Sequence, residues 1–313
     1  MKRWTAVAAA LAFAATSSWA QAPSGRPLQM LINFPAGAST DIVGRAFGEA
    51  FRAALDRPLV VMNKGGAFGT IGVSATVAAA PDGNTIGFLT SIPITLQPLL
   101  IKDARYTLAD LVPICRVNDA PTTLIASPKS GFTQLSQVVE KARRAPGKLN
   151  LGVPGLNSGP HIAMIMLMES AGIDMLVIPH QGDNNAVQPL QSGELDVAVA
   201  QPSFGPLHGF KVLGVSSASR LASLPDVPTF TESGYPAVQS VSMGLFGPKG
   251  MPPDVVRTME RACELAVNNP RFQETMRNIK QTPTYADAAS YAKQLQNDAA
   301  AMKAMAERLV PAK

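Results

Sequence analysis

Three histidines and two cysteines are all that this sequence offers of the side chains that most often hold metals or act as nucleophiles. His161, His180 and His208 have no second ligand at metal-binding spacing, so no metal site is expected. Ser158 and His161 lie close together, but no G-x-S-x-G elbow surrounds them and no third catalytic member accompanies them. Charged residues make up only 16% of the chain, and no lysine or arginine run builds a basic stripe, so nucleic-acid binding is unsupported. Aromatic residues, at 6%, are too sparse for a surface that stacks bases or sugars. The G-x-G-x-x-G and Walker patterns are missing as well, so no nucleotide cofactor is called for. The chain is therefore read as a binding protein without cofactor and not as an enzyme. The competing chemical reading is an exported hydrolase built on Ser158.

What is present begins with the leader. Lys2 and Arg3 form a positive start, Trp4 to Ala15 is an apolar stretch, and Ser18-Trp19-Ala20 supplies small residues where a signal peptidase reads. Residues 1–20 are expected to be a cleaved signal peptide and the mature protein to be periplasmic. The apolar stretch is too short for a permanent membrane span. Removing Lys2 and Arg3 takes the formal net charge from +5 to about +3, a mild field that helps gather anions. Cys115 and Cys263 are read as two buried thiols, with a disulfide open to them in an exported chain.

The 313 residues, 46% of them hydrophobic, suggest two lobes or one large α/β unit. Strand patterns at Leu28 to Asn33, Pro58 to Met62 and Thr85 to Thr90 alternate with glycine-bearing loops and helices, the rhythm of a parallel α/β sheet. Pro121 to Ser127 reads as an extended segment leaving this unit. Strands near Leu149 to Val153, Leu176 to Pro179, Leu195 to Ala200 and Val212 to Ser216 build a second unit, and Ser240 to Phe246 returns to the first. The expected organisation is lobe 1 in residues 21–124, lobe 2 in residues 125–239, and a return to lobe 1 in residues 240–313. Ligands of open α/β sheets sit beyond the carboxyl ends of the strands, which places a cleft between the lobes.

Three loops at those strand ends are suited to an anion. Phe34-Pro35-Ala36-Gly37-Ala38-Ser39-Thr40-Asp41 turns from a strand into a helix whose first N–H groups lack partners; Ser39 to Asp41 read as its cap. Gly65-Gly66-Ala67-Phe68-Gly69 repeats the arrangement, and Gly155-Leu156-Asn157-Ser158-Gly159-Pro160 does so in the second unit. Asp183-Asn184-Asn185 most simply caps a helix. For each loop the plain alternative is a structural turn with an ordinary helix cap.

Together with the leader, these motifs resemble the solute-receptor family of tripartite tricarboxylate transporters, the TctC-like or Bug proteins. The family's F-P-P-G-G-x-x-D turn reads here as Phe34 to Asp41, its N-R-x-G-A-x-G loop as Asn63 to Gly69, and its P-D-G-Y-T turn as Pro81 to Thr85. P-G-K-L-N is intact at Pro146 to Asn150, V-P-Y-K-G becomes Ile178 to Gly182, and L-P-D-V-P-T-x-x-E-x-G runs from Leu224 to Gly234. The resemblance implies an α/β, two-lobe periplasmic binding protein, type II-like, with a ligand cleft between lobes. It implies a small carboxylate as ligand, the membrane subunits of a transporter as partners, and a monomer. A signalling partner in place of a transporter is the alternative.

Carried over residue by residue, Phe34 and Ala36, Gly37, Ala38, Ser39, Thr40 and Asp41 would hold a carboxylate from lobe 1, flanked by Phe68. Leu156, Asn157, Ser158, Gly159 and His161 would close from lobe 2. Ser91 and Thr95 would line the floor, and Gln181 and Gln201 the far side. The departures fall around the same cleft: Ala38 and Asn157 replace glycines, Lys64 replaces an arginine fork, and His180-Gln181 replaces Tyr-Lys.

Overall fold

The structure is a computed structural model that describes residues 26–180, 182–279 and 281–309. The leader expected at residues 1–20, and Gln181, lie outside the described residues. The chain opens with β1 (Leu28–Ile32), α1 (Ser39–Leu55), β2 (Leu59–Asn63), α2 (Thr70–Val77) and β3 (Thr85–Thr90). Two single turns, α3 (Ile92–Thr95) and α4 (Gln97–Leu100), lead to the long β4 (Leu111–Pro121). Then come β5 (Thr123–Ala126), α5 (Leu135–Arg144), β6 (Asn150–Val153), α6 (Gly159–Ala171), β7 (Leu176–Pro179), α7 (Val187–Ser192), β8 (Val197–Ala200), α8 (Phe204–His208) and β9 (Lys211–Val215). β10 (Ser240–Pro248), α9 (Pro253–Val267), α10 (Pro270–Asn278), β11 (Pro283–Ala286) and α11 (Ala288–Leu309) complete the molecule.

Two sheets result, ordered β11-β4-β10-β3-β1-β2 and β7-β6-β8-β5-β9. β1 runs parallel to β2 and β3, and β6 parallel to β7 and β8, as the alternating strand-helix rhythm implies. Both sheets are nevertheless mixed. β10 is antiparallel to β3 and β4, and β5 is antiparallel to β8 and β9. These are the strands that carry the chain between sheets, and they enter against the direction of the βαβ units.

Burial explains the local choices. Val43, Phe47 and Phe51 recur every four residues of α1, so they share one face, and all are fully buried. Phe47 stacks on Phe51 at 5.2 Å and on Phe88 of β3 at 5.7 Å, with Phe272 of α10 edge-on at 5.9 Å. Gly44 lies on the same face, and a Cβ there would stand 2.8 Å from Ile32 Cδ1, so the glycine lets α1 settle close to the sheet. In the second lobe Leu124, Leu151, Val153 and Val197 from the sheet pack with Met164 and Leu167 of α6. A further apolar cluster spans the seam between lobes: Ile162 of α6 is buried with Ile92, Leu96 and, from α11, Met302 and Met305.

The lobes are joined by two adjacent crossings, β4 to β5 at Thr122 and the run into β10 at Gln239. Ser216, fully buried, ties them together. Its N–H donates to Thr122 O at 2.8 Å and its carbonyl accepts from Gln239 N at 2.9 Å. Its hydroxyl accepts from Thr122 N at 2.8 Å and donates to Gln239 O at 2.6 Å.

Cys115 of β4 and Cys263 of α9 are bonded to each other, with Cα atoms 6.6 Å apart, so the reading as two thiols is corrected. Their proximity follows from α9 packing across β4, which spacing in sequence does not reveal. The bond closes a span of 148 residues. Long closed loops restrict the unfolded chain most, and a stabilisation of about 2–4 kcal/mol is typical. Replacing both cysteines by alanine is expected to lower unfolding stability by about that amount. Chemical denaturation of the wild type with and without reductant, beside the double variant, checks it.

Candidate functional site

The site begins where β1 ends. Gly37, at φ +81°, makes a turn that an L side chain resists. The helix cap is Ala38, which offers no side-chain acceptor, and Ser39 is already the first helical residue. This corrects the expectation that Ser39 to Asp41 supply the cap. The turn is held instead from behind. Ala38 N–H donates to Pro35 O at 3.2 Å, and Gly37 N–H donates to Asp41 Oδ2 at 2.9 Å. Asp41 Oδ1 accepts from Arg45 Nε and from Asn63 Nδ2, each at 2.8 Å. Asn63 Nδ2 also donates to Phe34 O at 3.0 Å, which fastens the end of β2 to the turn.

Asp41 is buried with both carboxylate oxygens engaged by the protein, so its side chain organises the loop. Burial alone would raise its pKa, but the Asn63 amide, the Gly37 N–H and the Arg45 guanidinium together hold it below the usual carboxylate range. Among the described residues the backbone N–H groups of Ser39, Thr40 and Asp41 have no acceptor. They sit at the positive end of a 17-residue helix, where an anion is favoured without any cationic side chain.

The second lobe offers α6 less openly. Asn157 adopts φ +57°, the left-handed conformation that asparagine tolerates. Its N–H donates to His161 Nδ1 at 2.9 Å. Ser158 caps the helix: its hydroxyl donates to Gly155 O at 2.8 Å and accepts from His161 N at 3.4 Å. Pro160 has no N–H. In the first turn this leaves the Gly159 amide, so the two helix starts are unequal and the first lobe carries most of the free donors. His161 is buried, burial lowers its pKa, and its accepting Nδ1 puts the proton of the neutral ring on Nε2.

Side chains of the two lobes meet near the start of α1. Ser39 Oγ donates to Gln201 Oε1 at 3.1 Å, and Gln281 Nε2 donates to Ser39 Oγ at 3.2 Å and to Gln201 Oε1 at 3.1 Å. Asn118 Nδ2 donates to Gln281 Oε1 at 2.5 Å. Gln97 Nε2 donates to Asn157 O at 3.2 Å. Asp183, read as a helix cap, instead accepts from Gln201 N at 3.1 Å, and burial raises its carboxyl above the ordinary range. Ser39, Gln201, Asn157, Ser158 and Gly159 are thus brought to one seam. Gln97, Asn118 and Gln281 join them there without any motif that announced them.

The remaining candidates are placed differently. Ser91 and Thr95 are buried and brace each other: Thr95 Oγ1 donates to Ser91 O at 3.1 Å, and Ser91 Oγ accepts from Ser242 N at 3.2 Å. Phe68 is 55% exposed at φ +56°, and Leu156 is 46% exposed. Phe34 is half-buried and Ala36 exposed. Among the described residues no three histidine, cysteine, aspartate or glutamate side chains gather as metal ligands.

The family model described as "Tripartite tricarboxylate transporter family receptor" matches residues 43–310. The chain is similar to Protein BugT of Bordetella pertussis, at 30% identity over 268 residues covering 83% of this chain and 82% of BugT. It is similar in fold to a TctC solute binding protein from Polaromonas, with TM-score 0.80, 24% identity, and coverage of 91% of this chain and 99% of that one. It is also similar in fold to MatC from Rhodopseudomonas palustris with bound malate, with TM-score 0.75, 22% identity, and coverage of 90% and 99%.

Asp41→Ala is expected to leave the Gly37 amide unpaired and to cost about 1–3 kcal/mol of stability. Because the folded-state pKa of Asp41 is depressed, its stabilisation is present above the unfolded value of about 4 and is lost as pH falls through the folded value. Urea denaturation of both proteins between about pH 7 and pH 3 should show the gap closing toward acid.

Proposed function

The chain belongs to the tripartite tricarboxylate transporter receptor family, and on that premise we propose that it captures a small carboxylate between its lobes and delivers it to the membrane subunits of such a transporter. Its family and fold are those of periplasmic solute-binding proteins. The observation that carries the ligand class is the set of unpaired N–H groups at Ser39, Thr40 and Asp41. A carboxylate needs donors, and a helix start supplies them already oriented. The side chains that bridge the cleft, Ser39, Gln97, Gln201 and Gln281, are uncharged, so an anion meets no like charge among them. Malate in MatC points the same way. The hydrolase reading loses support from the bonding of Ser158 and His161. Nδ1 of the imidazole already accepts from Asn157 N–H, and the serine proton goes to Gly155 O.

A thermal-shift screen of mono-, di- and tricarboxylates, acidic amino acids, aromatic acids and neutral sugars tests the proposal. A carboxylate at a hundred times its Kd should stabilise the protein by about 2.7 kcal/mol and raise Tm, and Gly37→Val should abolish the shift. The shift should fade below about pH 4, as the ligand's own carboxylates protonate. Stabilisation by neutral sugars or cations alone would end the proposal.

A further inference from the structure

We propose that Gln281 is a positioning residue that decides which end of the Gln201 side-chain amide faces the ligand. The inference rests on the reading of Gln201 as a wall of the carboxylate cleft. A primary amide has an accepting end and a donating end, and only the donating end serves a carboxylate. Two donors meet one end of the Gln201 amide, and a third amide, whose own Oδ1 has no partner among the described residues, stands behind them. Asn118, fully buried on β4, donates to Gln281 Oε1, which turns Gln281 Nε2 toward the seam. Gln281 is 7% exposed, and this Nε2 reaches both Ser39 Oγ and Gln201 Oε1. Ser39 Oγ also donates to Gln201 Oε1, so two donors converge on that one oxygen. Gln201 Nε2 is left with no acceptor among the described residues, while the Gln201 backbone is held separately by Asp183. The polarity of the chain Asn118, Gln281, Gln201 therefore ends in a free N–H₂ group.

The partners come from both sides of the cleft. Asn118 and Gln281 belong with the first sheet, and Gln201 follows β8 of the second. The donor end of Gln201 is thus set when the lobes meet. Gln281 acts through Gln201 and need not touch the ligand.

A double-mutant cycle with malate as the probe tests this. Gln281→Met keeps the length of the side chain and removes its hydrogen bonds; binding measured by calorimetry should weaken about tenfold. Gln201→Met should weaken it at least as much, and the double variant should lose no more than about a further twofold beyond Gln201→Met. Fully additive losses would overturn the proposal. A second readout needs no ligand: the side-chain NH₂ resonances of Gln201 should move in Gln281→Met, because Oε1 loses a donor. Unmoved resonances reject the positioning role, whether or not malate binds. If those resonances move but no carboxylate binds the wild type, the relay stands and the carboxylate reading falls. Should Gln281→Met fail to fold, Gln281→Asn, one methylene too short to reach Gln201, replaces it with the same outcomes.

Discussion

The two crossings between the sheets are tied to each other by the buried Ser216. A single crossing would let the second sheet swivel about the first. Two crossings, bonded to each other through both the backbone and the hydroxyl of one buried serine, leave it less freedom to turn. Beside these crossings Gln201 meets Ser39 and Gln281 at hydrogen-bond distance.

The two lobes divide their polar groups unequally. The first lobe stores its electrostatics in the backbone: Asp41 satisfies the turn from beneath, so the amides above it stay unpaired. The second lobe spends polar groups of Asn157, Ser158 and His161 on itself and offers the Gln201 side-chain amide to the first lobe. Opposite these polar contacts the seam is apolar, with Ile162 set against Leu96, Met302 and Met305. Methionine adapts its shape readily, which lets Met302 and Met305 fill the space against Ile162.

How far this was legible in the sequence depends on how local each signal is. The turn at Phe34 to Asp41 and the loop at Gly155 to Pro160 announce themselves, since glycine, proline and small hydroxyl residues mark a strand turning into a helix. Their capping was less legible, because whether Ser39 bonds its own helix or reaches Gln201 depends on a partner some 160 residues away. β4 escaped notice because Pro113 and the polar stretch Arg116 to Asp119 interrupt any strand pattern, and its pairing with β10 is wholly non-local. Asn118, Gln97 and Gln281 carry no motif at all; a buried amide gains meaning only from what lies opposite. Cys115 and Cys263 are the same case, joined by the packing of α9 on β4.

The strand order has a consequence for assembly. β10 lies between β3 and β4, although the entire second sheet separates it from them along the chain. A polypeptide emerging amino end first must hold β3 and β4 without their shared neighbour while the inserted lobe is made. The second lobe can settle its own core during that wait. The first becomes whole only when the later strand slides into the gap, and the covalent clasp to α9 can lock just after. The inserted lobe therefore has a head start, and the sheet that carries the turn at Phe34 to Asp41 is finished last.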